Sequence, residues 1–71
     1  MENMVGANIK KLREHMGLSQ LNIAHFLNAD QSMISKVEKG EEALSADMLE
    51  KLACLFGITV DDIEKNNKKT S

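Results

Sequence analysis

The sequence predicts an all-α fold in which five short helices form one compact domain. Apolar residues recur along the chain at helical spacing, and no segment alternates between apolar and polar with a period of two. Glycine, asparagine and serine stand at intervals that suit helix ends, and proline is absent. The 71 residues are 42% hydrophobic but only 3% aromatic, which leaves room for a single aliphatic core.

The first two helices are defined by an apolar stripe and three end signals. The stripe of the first helix lies at i, i+4, i+7 and i+11 and comprises Val5, Ile9, Leu12 and Met16. Gly17 ends this helix because glycine enters the left-handed region without a steric penalty. Ser19 is the expected N-cap of a second helix, which runs to about Leu27 and ends at Asn28.

The remaining helices follow the same pattern of caps and stops. Asp30 caps a third helix that runs to about Lys39 and ends at Gly40, and residues 41–44 form a loop. Ser45 caps a fourth helix from Ala46 to Phe56. A fifth helix starts at Thr59, with Asp62 as its capping-box partner. The core positions expected in the third, fourth and fifth helices are Ile34, Val37, Leu49, Leu52, Ala53, Phe56 and Ile63. The domain therefore covers residues 1–64, and residues 65–71 are expected to be a basic disordered tail.

Residues 19–39 have the organisation of a helix-turn-helix. Two short helices are joined by a turn of three or four residues, and Ala24 is small where the two helices must cross closely. The outer face of the second of these helices is polar and carries Gln31, Ser32, Ser35 and Lys36. In this motif the N-terminal part of the second helix reaches base edges in the DNA major groove.

From Val5 to Ile63 the chain resembles the Xre, lambda-repressor and Cro-like helix-turn-helix domains. The resemblance rests on an ordered set of matches: Ile9, Leu12-Arg13, Gly17-Leu18-Ser19-Gln20, Ile23-Ala24, Leu27, Gln31-Ser32, Ile34-Ser35-Lys36, Glu38, Gly40, Leu49, Leu52-Ala53, Phe56-Gly57-Ile58 and Ile63. It implies a five-helix domain that binds a palindromic operator as a homodimer. The protein is therefore expected to be a transcriptional repressor with double-stranded DNA as its partner.

The resemblance also implies roles for individual residues. Gln20 matches a glutamine that holds a DNA phosphate, and Ser19 caps its helix beside the same phosphate. Positions that reach base edges correspond to Gln31, Ser32 and Lys36, with Ser35 on the same face, and Lys39 suits a phosphate contact. Arg13 and Glu38 match a structural ion pair that joins the first helix to the third.

Several residues depart from the family pattern and keep a second hypothesis open. Glu41 and Glu42 stand where lysine or arginine is common, and Leu21 and Phe26 replace polar residues on the outside of the second helix. Residues 40–64 carry seven acidic residues against Lys51, a net charge of −6. The alternative function is therefore a protein-interaction module, such as an antitoxin-like partner, that keeps the fold and binds DNA weakly.

The fourth helix carries more apolar surface than one core stripe requires. Met48 and Leu55 lie beside the core stripe, and Ile58 follows closely after the helix. A short helix that is apolar on two sides suggests two partners, so these three residues are the candidates for a dimer interface.

The composition argues against several other classes of protein. A chain this short makes a self-contained enzyme unexpected, and no cofactor or small-molecule ligand is expected. His15, His25 and Cys54 are too far apart in sequence for a metal site, and Cys54 is expected to be half-buried. One cysteine and no targeting or membrane-spanning segment indicate a cytoplasmic protein.

Overall fold

Five α-helices follow one another in the computed structural model, which describes residues 4–65. They are α1 Val5–His15, α2 Gln20–Leu27, α3 Gln31–Glu38, α4 Ala46–Phe56 and α5 Val60–Lys65. All the regular structure in this part of the chain is helical, so the predicted all-α, five-helix lambda-repressor-like fold is confirmed. None of the five described helices is long and apolar enough to span a membrane. α5 includes Lys65, although the predicted tail begins at this residue; residues 66–71 of that tail lie outside the described part.

Side-chain caps begin three of the helices. Ser19 Oγ accepts from the Asn22 backbone N–H at 3.0 Å, while Asn22 Oδ1 accepts from the Ser19 N–H at 2.9 Å. Ser45 Oγ accepts from the Met48 N–H at the start of α4. Asp30 occupies the N-cap position of α3, but its exposed carboxylate makes no capping hydrogen bond. At the start of α5, Thr59 and Asp62 form the reciprocal pair expected of a capping box.

The turn between α2 and α3 is three residues long, 28–30, and depends on Asn28. This residue adopts the left-handed conformation with φ of 58°, which asparagine tolerates better than most residues with a side chain. The following Ala29 N–H then donates to the Ala24 carbonyl at 2.8 Å. The chain therefore reverses quickly enough for α3 to pack across α2.

The core lies where all five helices meet. Its buried apolar residues are Ile9, Ile23, Ala24, Leu27, Ile34, Val37, Leu44, Leu49, Leu52, Ala53 and Ile63. Leu44 is in the loop before α4, where no core residue was expected from the sequence pattern. Phe56, expected in the core, is only half-buried, and Cys54, expected to be half-buried, is exposed. Phe56 still packs against the core from its edge, whereas Cys54 does not.

The apolar stripe predicted for α1 is wrong at its end and incomplete. Met16 is 46% exposed because it lies beyond the last helical turn. The buried face of α1 instead includes Gly6 and Asn8. Gly6 lies so close to the Val37 carbonyl that a Cβ atom would collide with it. Asn8 Nδ2 donates to the Ile63 carbonyl at 2.6 Å and thereby fixes α5 against α1.

Candidate nucleic-acid interface

The polar residues expected to read DNA share one face of α3. Gln31, Ser32, Lys36 and Lys39 are exposed, and Ser35 is half-buried. Because a helix turns once every 3.6 residues, these positions form a single stripe. Ile34 and Val37 are buried on the opposite side. The core therefore holds α3 while its polar face stays open to water.

The N-terminus of α2 provides backbone donors for an anion. The N–H groups in the first turn of a helix have no acceptor within the helix. In α2 the Asn22 N–H donates to Ser19 Oγ and the Ile23 N–H to the Ser19 carbonyl, which leaves the N–H groups of Gln20 and Leu21. Together with the helix dipole, they favour a negatively charged group at this point.

Arg13 and Glu38 form a buried, bidentate ion pair between α1 and α3. Arg13 Nε lies 2.7 Å from Glu38 Oε2, and Arg13 Nη2 lies 3.1 Å from Glu38 Oε1. The side chains are only 10% and 3% exposed. Arg13 Nη1 also donates to the Leu18 carbonyl at 2.9 Å, so the guanidinium holds the connection between α1 and α2 as well.

The hydrogen bonds that Arg13 donates to Glu38 raise the pKa of Arg13 above its ordinary value, although burial acts in the opposite direction. The nearby negative charges of Glu38 and the exposed Glu14 add to the increase. Arg13 therefore stays charged at every pH at which the protein would be studied.

Gln20 is connected to this ion pair, a contact that the sequence did not indicate. Its Nε2 donates to Glu38 Oε1 at 3.0 Å, so Glu38 accepts from both Arg13 and Gln20. Gln20 itself is half-buried. The residue expected to hold phosphate is thus joined to the residues expected to be structural.

Two apolar side chains of α2 are exposed. Leu21 is 60% exposed and Phe26 is 45% exposed. The proposed dimer residues Met48, Leu55 and Ile58 are different, because each is half-buried and packs against the core.

The loop after α3 brings carboxylates close to the end of that helix. The Glu41 N–H donates to the Lys36 carbonyl at 2.8 Å, which fixes the start of the loop. Glu41 and Glu42 are both exposed and, with Glu64, edge a cleft of about 390 Å³. This cleft is separate from the polar stripe of α3, and its charge is unfavourable for nucleic acid.

The histidines and the cysteine do not come together. His15, His25 and Cys54 are all exposed, and they lie on α1, α2 and α4 respectively. Within residues 4–65 no cluster of three or more histidine, cysteine, aspartate or glutamate residues could hold a metal ion.

Comparison with known proteins gives consistent matches. The family model described as Helix-turn-helix matches residues 9–63. The restriction-modification controller protein C.AhdI from Aeromonas hydrophila is 30% identical with a TM-score of 0.76, covering 84% of this chain and 91% of that one. SinR, a master regulator for biofilm formation from Bacillus subtilis solved in complex with DNA, is 26% identical with a TM-score of 0.75, covering 84% and 97%.

A curated relative extends the comparison to another class of protein. The antitoxin PezA from Streptococcus pneumoniae serotype 4 is 29% identical over 65 residues, which is 92% of this chain. The chain spans only 41% of the length of that relative. With the family match covering most of the chain and the five-helix fold described above, this chain belongs to the helix-turn-helix family of the Xre and lambda-repressor type.

Proposed function

We propose that this domain is a sequence-specific DNA-binding regulator of transcription that acts in the cytoplasm as a repressor. The observation that carries the proposal is the polar stripe of α3, which the buried residues of the same helix hold rigidly toward solvent. A rigid helix of this kind fits the major groove, where each base pair presents its own pattern of donors and acceptors.

Each polar residue has a contact that its chemistry suits. Gln31 can pair with adenine by accepting through its amide oxygen and donating through its NH₂ group, Lys36 can donate to guanine, and Ser32 and Ser35 can donate or accept. Ser19 and Gln20 contact a phosphate with the N-terminus of α2, and Lys39 contacts another. The α3 residues thus provide readout, whereas the α2 residues fix the position of the domain on the backbone.

The operator is palindromic because the domain binds it as a homodimer. A single α3 of eight residues touches too few base pairs to select one site in a genome. Met48, Leu55 and Ile58 would bring two copies together around a twofold axis, with their recognition helices about 34 Å apart. Repression then needs only that the bound dimer covers the promoter.

Selection of bound sequences from a random pool of duplex DNA tests this proposal. The expected result is a palindromic consensus whose half-sites are about one helical turn apart. Recovery of sequences with no common site would contradict the proposed readout. Recovery of a single unrepeated half-site would contradict the proposed dimer.

The second candidate function is a protein-interaction module related to antitoxins. It is favoured by the exposed Leu21 and Phe26 on α2 and by the similarity to the antitoxin PezA. A salt titration with mixed-sequence DNA separates the two candidates, because neutralising several phosphates makes the affinity fall steeply with salt. An absence of binding even at low salt would favour the interaction module.

A further inference from the structure

We infer that Glu38 is a positioning residue for DNA binding, because its carboxylate holds the Gln20 amide in the orientation that a phosphate contact needs. The inference rests on the proposed function and adds a role to a residue that the sequence assigned only to a structural ion pair. Three observations support it: the contact between Gln20 and Glu38, the partial burial of Gln20, and the neutralisation of Glu38 by Arg13.

The orientation of the Gln20 amide is determined by the chemistry of its partner. An ionised carboxylate can only accept hydrogen bonds, so the NH₂ group of Gln20 must face Glu38 Oε1, as its 3.0 Å contact shows. An amide NH₂ group carries two hydrogens, and Glu38 uses one of them. The second hydrogen is therefore held in a defined direction and stays available to another acceptor.

Arg13 makes this arrangement compatible with a bound phosphate. A carboxylate close to a phosphate would repel it, but Glu38 is paired with Arg13 through both of its oxygens. Without Glu38 the Gln20 side chain would rotate freely and lose side-chain entropy each time it bound phosphate. The ion pair thus stabilises the domain and also prepares the phosphate contact.

A double-mutant cycle on DNA binding tests the inference. Glu38→Gln keeps the shape of the side chain, and Gln20→Ala removes the proposed phosphate contact. We expect Glu38→Gln to weaken binding to the selected operator about tenfold when Gln20 is present and less than twofold when Gln20 is alanine. Glu14→Gln is the matched control, since it removes the same charge beside Arg13 without touching Gln20; it should change the affinity less than twofold.

The possible outcomes are distinguishable. If Glu38→Gln weakens binding equally on both backgrounds, Glu38 acts through the structure of the domain and the inference is wrong. If the wild-type protein binds no DNA at low salt, the proposed function fails and this inference fails with it. Circular dichroism at the binding temperature would establish that every variant is folded.

A measurement on the unmodified protein keeps the inference testable if Glu38→Gln does not fold. In an NMR spectrum of the free protein, the two side-chain amide protons of Gln20 should exchange with water at clearly different rates, because only one is bonded to Glu38. Adding operator DNA should then slow exchange of the faster proton. Equal exchange rates for the two protons in the free protein would overturn the inference.

Discussion

The helix-turn-helix half of the domain, residues 19–39, differs from the acidic half, residues 40–64, in how it uses charge. The first half carries two lysines and two acidic residues, and one of these acids, Glu38, is buried against Arg13. The second half carries seven acidic residues and one lysine. A net charge of −2 for the whole chain therefore says little about DNA binding, because the excess of negative charge lies in residues 40–64 and not in the helix-turn-helix.

Polar groups are also buried for different reasons in different parts of the fold. Asn8 donates a hydrogen bond to the Ile63 carbonyl of α5, and this contact stabilises only the fold. Arg13 and Glu38 join three helix ends and reach the half-buried Gln20 at the surface. A buried polar network that extends to a half-buried residue proposed to bind phosphate can serve both stability and binding, whereas an isolated buried amide serves stability alone.

The largest effect is expected from breaking the ion pair. Glu38→Ala should lower the free energy of unfolding by about 3–5 kcal/mol, because it leaves Arg13 charged and largely buried without its partner. Because the pKa of Arg13 is raised in the folded protein, the charged guanidinium stabilises the fold fully at any pH below the ordinary pKa of arginine. This stabilisation disappears only at more alkaline pH, as the pH rises through the raised pKa. The decrease in unfolding free energy caused by Glu38→Ala should therefore be constant between about pH 7 and pH 10.

Urea unfolding followed by circular dichroism measures this change. Glu50→Ala is a suitable control, because Glu50 is an exposed glutamate on α4 and its removal should change the free energy of unfolding by about 0.5 kcal/mol or less. Equal stability of Glu38→Ala and Glu50→Ala would mean that the ion pair contributes nothing to folding.

The acidic loop provides the next test, because it lies at the border between the two halves. We expect Glu41→Lys combined with Glu42→Lys to tighten binding to mixed-sequence DNA. The logarithmic salt dependence should steepen by about 0.9 for each new lysine that meets a phosphate. Fluorescence anisotropy at several salt concentrations measures both effects.

Glu50→Lys combined with Asp61→Lys is the matched control for the acidic loop, since it changes the same charge at exposed sites on α4 and α5. If both double variants change the slope equally, the effect is one of overall charge and the loop does not approach the backbone.

The smallest effect is expected in the free protein, where the proposed dimer is weak. Leu55→Glu should abolish dimerisation seen by sedimentation, and Leu21→Glu, on the other half of the domain, should leave it unchanged. In the wild type, higher salt should strengthen the free dimer by screening the acidic residues of the two copies from each other. Equal dimerisation of Leu55→Glu and the wild type would place the interface elsewhere, with Leu21 and Phe26 as the next candidates.

Local signals in the sequence were sufficient to predict most of the fold. Caps such as Ser19 and Ser45, and the left-handed Asn28, act through nearest neighbours and so can be recognised from spacing alone. The burial of Gly6 and Asn8 depends on Val37 and Ile63, which are distant in sequence, and no local pattern indicates it. Met16 illustrates the opposite error, because an apolar residue one position beyond a helix has no core to join.

The candidate site was predictable in its parts but not in its connections. The resemblance identified Gln20, Arg13 and Glu38 separately, as one binding residue and one structural pair. Their common hydrogen-bond network depends on how the start of α2 meets the end of α3, which is a feature of tertiary packing. Spacing along the chain contains no information about that contact.

In the proposed function α3 reads the bases and α2 contacts a phosphate. Comparing Gln20→Ala with Gln31→Ala on an operator and its single-base variants tests these two roles most directly. Gln31→Ala should cost about 1–3 kcal/mol on the operator and lose the preference at one base pair, and Lys36→Ala should do the same at another. Gln20→Ala should weaken binding to every sequence alike, because a phosphate contact carries no sequence information. If Gln31→Ala produced the same uniform loss as Gln20→Ala, readout by α3 would be contradicted.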